Sequence, residues 1–470
     1  MGEMWLTGPK DKGSPSYFSL STFSFSLTGN NMTEHIAIIG GGLAGCEAAW
    51  HLARQGVLAT ILEMKPHRFS PAHNDSRLAE LVCSNSFRSE EPTSCVGLLK
   101  EEMLAADSLI MEAAYACRVP AGKALAVDRE EFAAYVTWRL EETPGVEIER
   151  REIESLQDPA LTAYSRLVLA AGPLAGQSLT RSLLDSIGQQ DLYFYDAIAP
   201  IVSAESLNWD RVFWGSRYEP ESTDYLNCPL NEEEYHRLRN ALLEGEKVEP
   251  RRFESEVHFE GCLPVETQAA RGEMTLAFGP LKPVGLVDPR TGETPFAVVQ
   301  LRAENREKTM FNLVGFQTKL TYPEQRRILR MIPGLEQAEF VRMGSIHRNT
   351  FVNSPAVLRP DLELANKPDI FLAGQITGVE GYVESAACGQ WLGMHLAGRA
   401  AGRKVGLPPG ETAFGGLLRH LQSEAKVFQP MNVNFGLLPP LGVKAKKSRR
   451  KELYAERARE AWREWLSVGQ

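Results

Sequence analysis

From residue 35 onward the chain alternates short apolar runs with glycine turns. His35–Ile39 (HIAII) has the length of a buried strand, and GGGLAG follows at Gly40, Gly41, Gly42, Leu43, Ala44 and Gly45. Cys46 to Gln55 then sets Ala48, Ala49, Leu52 and Ala53 on one helical face, with Gly56 placed to cap the helix end. A second apolar run, VLATILEM, closes near Glu63. Strand, glycine turn, helix and strand within about 30 residues make the opening of a dinucleotide-binding unit. Gly40 allows the tight turn, Gly42 lets the backbone approach a pyrophosphate, and Gly45 lets helix and strand pack closely. The helix N-terminus offers N–H groups and partial positive charge to phosphates. Glu63, 18 residues after Gly45, is placed to take ribose hydroxyls.

Two later runs decide between dinucleotides. RLVLAAGP (Arg166–Pro173) is an apolar strand entering a glycine turn. Asp369–Gly398 repeats the pattern with a turn at Gly374 and Gln375, a glycine-rich loop, and a small-residue helix after Gly381 that begins with Tyr382 and Glu384. Flavoproteins of the glutathione-reductase type carry such returning segments, because FAD stretches across the domain; the expected cofactor is FAD. Between them the pattern changes. FAVVQLRAE and TMFNLVGFQ alternate, VDPRTGE signals a turn, and a helix is expected from Pro323 to near Gly334. The expected fold is α/β, a split Rossmann-like FAD-binding domain with an inserted α+β domain. Its expected parts are an extension or mis-assigned start (1–31), the first FAD-binding part (32–194), the insert (195–340), the second FAD-binding part (341–440) and a basic tail or helix (441–470).

Composition adds limits. The 470 residues are 43% hydrophobic and 24% charged, an ordinary globular balance. Mean hydropathy is -0.24, and no run of 18 apolar residues occurs, so no membrane span is expected. The net charge of -9 argues against a globally basic nucleic-acid binder but leaves local patches open. Residues 1–31 are rich in Ser, Gly and Thr and lack the pattern of a secretory signal; Met32 is expected to be the true start, or the segment a disordered extension. At the other end, KAKKSRRK (Lys444–Lys451) puts six basic residues in eight positions. Leu453, Ala458, Trp462, Trp465 and Leu466 then outline an amphipathic helix. The basic run is either a phosphate contact or a solvated tail.

The seven cysteines are scattered and form no CxxC pair, which indicates free thiols in a reducing, cytoplasmic setting rather than a metal site or disulfide framework. Two have unusual settings. Cys83, in AELVCSNSFRSEEP, sits where a helical run is expected to give way to a polar loop, with Arg88 five residues on to favour a thiolate. Cys262, in VHFEGCLPVE, sits at a bend between Gly261 and Pro264. Cys46 and Cys388 read as helix packing, and Cys95, Cys117 and Cys228 have no distinguishing context.

The motifs GGGLAG, AELVCSNSFRS, HFEGCLPVE, AFGPLKPVGL, GFQTKLTYPEQ, GSIHRNTF and AGQITGVEGYVESAACG together give a chain that resembles the TrmFO family. These are folate- and FAD-dependent tRNA (uracil-5-)-methyltransferases related to MnmG/GidA, and the resemblance runs from Met32 to about Phe435. It implies C5-methylation of uridine 54 in the T-loop of tRNA, with 5,10-methylenetetrahydrofolate as carbon source, transfer through the reduced flavin, and NADH or NADPH as reductant. It assigns Cys262 to attack on uracil C6, and Cys83 to the second role, as base or as partner of Cys262 and flavin; the residues alone do not order the two. His347 is a candidate to stack on the pterin and Lys282 a candidate near the flavin or an anionic substrate, with Tyr382 and Glu384 lining the flavin pocket; each has a structural alternative. Arg251, Arg252, Arg326, Arg327 and Arg330 are local candidates for RNA phosphates. The competing readings are wobble-uridine modification of the MnmG/GidA kind, a flavin oxidoreductase acting on a small molecule, and a flavin-bound RNA chaperone without catalysis.

Overall fold

The computed structural model describes residues 34–189, 192–219, 222–248, 263–423 and 428–468. The segment 1–31, Cys262, Arg251 and Arg252 lie outside the described residues. A six-stranded sheet runs in the order Glu363–Leu364, Lys367–Leu372, Arg166–Leu169, His35–Ile39, Leu58–Glu63 and Val146–Arg150. All its neighbours are parallel except the first pair. Its central strands, Arg166–Leu169, His35–Ile39 and Leu58–Glu63, are mostly apolar because both faces are covered, whereas the edge strand Val146–Arg150 leaves Glu147 and Glu149 exposed. One face carries a large core that includes Ile36, Ile38, Trp50, Leu52 and Trp391, and the other a smaller core around Ala37, Ile39, Leu169 and Leu372.

The first helix, Leu43–Arg54, starts directly from the glycine turn and has no side-chain cap at Gly42. The long helix Tyr382–Ala400 lies against it. Their approach is close enough that a Cβ on Gly389 would stand 2.0 Å from the Ala44 carbonyl oxygen. Small residues in this stretch of both helices are thus required by backbone contact.

A second six-stranded sheet is antiparallel in every pairing, in the order Phe213–Trp214, Tyr225–Leu230, Ala297–Ala303, Met310–Leu313, Ile201–Ser203 and Phe340–Arg342. It has its own core, from Val202 to Ala338. Leu192–Ile198 and Ser345–Phe351 pair antiparallel over seven positions and connect the two sheets. The expected helix after Pro323 spans Tyr322–Leu329 and ends short of Gly334. No helix is long and apolar enough to cross a membrane among the described residues. The C-terminal helix, Lys447–Val468, buries Ala455, Ala458 and Trp462, with Trp462 stacked on Phe414 at 5.3 Å.

One local expectation fails. No helix precedes Cys83: residues 76–83 are turn and coil. Ala79 adopts φ 52° and donates its N–H to the Gly41 carbonyl at 2.8 Å. A left-handed residue cannot continue a right-handed helix. The segment instead folds over the glycine turn and brings Cys83 to the site.

Candidate active site

The glycine turn opens on a cleft. Its walls include Gly40 to Ala44, Glu63, the Ala170–Gly176 turn, Gly374, Gln375 and Tyr382. Gly40 holds φ +107°, and a Cβ on Gly45 would stand 2.0 Å from the Gly40 carbonyl oxygen, so the turn and the first helix fit only without side chains there. A Cβ on Gly42, by contrast, would meet nothing within 4 Å. That open space in front of an uncapped helix N-terminus is the shape and polarity a pyrophosphate needs. Glu63 lies on the cleft wall, with one carboxylate oxygen accepting from Gly41 N at 2.8 Å and the other from Lys65 N at 2.9 Å.

Cys83 stands where the cleft meets the start of the long helix. The Tyr382 hydroxyl oxygen accepts from Cys83 N at 2.8 Å, Ser84 N at 3.3 Å and the Cys83 thiol at 3.1 Å. Burial pushes the Cys83 thiol up to about 12, Asp196 adds to the shift, and the Tyr382 bond and Arg129 oppose it. Arg88 therefore does not yield a thiolate. It forms an ion pair with Glu384, which is fully buried and also accepts from Val433 N at 2.8 Å. Glu384 holds the loop to the long helix and is not part of the cleft wall.

The loop that carries Cys83 is held from several sides. Lys100, nearly fully buried, donates to the carbonyls of Arg88 at 3.1 Å and Ser89 at 2.8 Å. Arg302, from the second sheet, donates to Asn85 Oδ1 at 2.9 Å and Ser84 Oγ at 3.0 Å. Arg129 donates to the Leu81 carbonyl at 2.6 Å and pairs with Glu304. Sequence reasoning missed these residues. One signal was available: Gln300 and Arg302 lie two apart in a strand that is otherwise apolar and buried throughout. Buried polar groups on one strand face demand partners.

His347 joins the same region. It shares a hydrogen bond of 2.8 Å with Ser345 Oγ, and burial together with the Arg342 charge pushes its imidazole down to about 4. Burial lowers the proton affinity of Arg342, and the nearby Tyr382 and Cys83 partly oppose that. Lys282 is elsewhere, 5.4 Å from the centre of the exposed Tyr218 ring and off the cleft wall. Arg327 pairs with Glu324, and Arg330 donates to the Ala338 carbonyl.

The family model for glucose inhibited division protein A matches residues 35–404. A methylenetetrahydrofolate–tRNA-(uracil-5-)-methyltransferase TrmFO from Oleidesulfovibrio alaskensis is 64% identical over 92% of this chain and 97% of its own. The chain belongs to the TrmFO family. A TrmFO from Geobacter sulfurreducens is 59% identical over 93% of this chain and all of its own length. In fold, this chain is similar to the solved GidA of Aquifex aeolicus, with TM-score 0.65 at 15% identity over 92% of this chain and 73% of that one. The latter likeness concerns the fold alone, and it agrees with a split FAD-binding architecture.

Proposed function

We propose that this chain methylates C5 of a uracil in tRNA, taking the carbon from methylenetetrahydrofolate with FAD as cofactor. The observation that carries the reading is the Cys83 thiol held on the hydroxyl of Tyr382, a residue of the glycine cleft wall, in a chain 64% identical to a named TrmFO.

Uracil C5 is a weak nucleophile. A thiolate adding to C6 breaks the C5=C6 double bond and places charge on C5, which then bonds to the one-carbon unit. A base removes the C5 proton, and loss of the thiol restores the double bond. Gly40 to Ala44 and Glu63 would hold the pyrophosphate and ribose of FAD, and Gly374 and Gln375 its far end. Reduced, the bound flavin supplies the two electrons that take the carbon from the methylene to the methyl level, with NADH or NADPH as their source.

The residues divide the remaining work. A thiol raised to about 12 carries its proton at neutral pH, whereas addition to C6 needs a thiolate. This supports giving the addition to Cys262 and a proton-handling role to Cys83, with Tyr382 and Arg129 setting when its proton leaves. Neutral His347 is suited to stack on an uncharged pterin. The target is the T-arm uridine at position 54.

The test is incubation of the protein with unmodified tRNA, labelled methylenetetrahydrofolate and NADH. Label in 5-methyluridine, lost when uridine 54 is replaced by cytidine, is expected; no label in 5-methyluridine refutes the reading. With T-arm RNA containing 5-fluorouridine, Cys83→Ala is expected to form a covalent adduct and Cys262→Ala none. An adduct that survives Cys262→Ala overturns the division of roles.

A further inference from the structure

The C-terminal helix has its charges the wrong way round. A helix N-terminus is the positive end of the backbone dipole and favours acidic side chains, while the C-terminus favours basic ones. Lys447–Val468 has no acid in its first turn and no base in its last. Its N-terminal end instead continues a run of cations: Lys444, Lys446, Arg449, Arg450 and Lys451 are all exposed. None of the five makes an ion pair among the described residues, whereas Arg459, further along the helix, pairs with Glu101. Five unneutralised cations beside a positive helix end repel one another, on a chain whose net charge is -9. A bound polyanion relieves that repulsion.

The run is also tied to the active site through a chain of contacts. Tyr454, one turn after Arg450, stacks on Phe435 at 5.1 Å, and Arg457 donates to the carbonyls of Pro439 and Pro440. The segment they grip is anchored to the start of the long helix. Asn432 donates to the Glu380 carbonyl at 2.5 Å, and Val433 N donates to Glu384 at 2.8 Å. That is the turn from which Tyr382 reaches Cys83. Arg450 lies four residues, roughly 6 Å of helix, from the Tyr454 anchor, and the basic turns before it stand clear of the buried stripe that starts at Ala455.

We propose that Lys444, Lys446, Arg449, Arg450 and Lys451 form a docking surface for the phosphate backbone of the substrate RNA, gripping its stem while a base enters the cleft beside Cys83. The proposal rests on the reading of the chain as a tRNA-methylating enzyme. RNA is favoured over an anionic membrane because the large apolar residues of this helix, Trp462 foremost, are spent on the protein core.

The test uses the full chain with all five residues changed to Gln, and a control with Arg449→Lys and Arg450→Lys. Bound-flavin absorbance and unfolding temperature are expected to match wild type in both. Affinity for an unmodified tRNA transcript is measured from 50 to 200 mM salt, together with kcat and KM. The Gln variant is expected to bind at least 10-fold more weakly at 100 mM salt and to lower the slope of log affinity against log salt by about 2, since each phosphate contact contributes roughly 0.7 to 0.9. KM for tRNA rises, kcat changes less than threefold, and the Lys control keeps wild-type affinity. Unchanged slope and KM overturn the proposal, as does a loss seen only on phosphatidylserine vesicles and not on tRNA. If wild type binds tRNA with the expected slope but leaves it unmethylated, the functional reading fails while the docking surface stands.

Discussion

Tyr382→Phe removes one oxygen and nothing else, and that oxygen accepts from three donors: Cys83 N, Ser84 N and the Cys83 thiol. A neutral hydrogen bond contributes about 1 kcal/mol net, and a thiol donor less. The substitution therefore releases about 2 kcal/mol of positioning at the Cys83 loop. The loop keeps its other holds, Lys100 on the Arg88 and Ser89 carbonyls and Arg302 on Ser84 and Asn85, so the fold survives. If the lost positioning falls on the chemical step, about 2 kcal/mol corresponds to roughly a 30-fold fall in kcat. KM for tRNA should move little, because the phenol oxygen is taken up by this loop. The assay is single-turnover methyl transfer with tRNA and methylenetetrahydrofolate, with bound flavin measured in parallel. A Tyr382→Phe protein with full flavin and kcat within twofold of wild type would refute the reasoning. So would a protein that loses flavin and activity together, because the Tyr382 hydroxyl would then act through the cleft wall it belongs to and not through Cys83.

Three further outcomes follow from the same geometry. Gly45→Ala places a Cβ 2.0 Å from the Gly40 carbonyl oxygen, an overpacking of about 1–3 kcal/mol that displaces the glycine turn; purified protein should come without flavin absorbance, and wild-type flavin content would contradict it. Arg88→Ala strands the fully buried Glu384 while the Arg88 side chain is itself 37% exposed, so the cost should be about 2–3 kcal/mol, below that of a fully buried pair; adding Glu384→Gln should restore part of it in denaturant unfolding, and a double variant no more stable than the single would refute the pairing. Glu102, raised by burial from 4.5 to about 8, binds a proton in the folded state that the unfolded chain lacks between those values. Its contribution is complete below about pH 4.5 and is lost as pH rises through about 8; unfolding midpoints from pH 5 to 8 should fall less steeply in Glu102→Gln than in wild type.

The nucleotide cleft was legible because its rules are local. GGGLAG, the strand before it and the acid after it are fixed by backbone conformation and close approach, and each reads from a few adjacent residues. An antiparallel sheet was expected from alternation in FAVVQLRAE and TMFNLVGFQ and the pairings are antiparallel, but Ala297–Ala303 is buried throughout, so its polar positions face partners and not solvent. The surroundings of Cys83 were not. A helical run was expected before it, but Leu78 packs over Gly41 of the glycine turn, and the positive φ of Ala79 leaves no local signature. Arg88 was expected to act on the nearest cysteine in sequence. It acts on Glu384, 296 positions away, because a fully buried carboxylate needs a cation more than a thiol does.

The holds on the Cys83 loop explain what the second sheet contributes beyond its own core. Arg302 belongs to that sheet, is buried, and spends its guanidinium on Asn85 and Ser84 of the other domain. Asn85 returns the contact by donating to the Ala303 carbonyl at 3.0 Å, and to Val127 at the same distance. Glu304, next in the chain, pairs with Arg129, which donates to the Leu81 carbonyl. Burying a guanidinium is costly, and burial lowers its proton affinity here. A contact that only joined two surfaces would be served as well by apolar residues. Directional bonds from Arg302 and Arg129 fix residues 81–85 in register as well as in place. Tyr382 approaches the same residues from the first domain. The thiol is therefore defined by both domains at once, and a displacement of the second sheet relative to the glycine cleft would move Cys83 against Tyr382 without altering the cleft wall around Gly42.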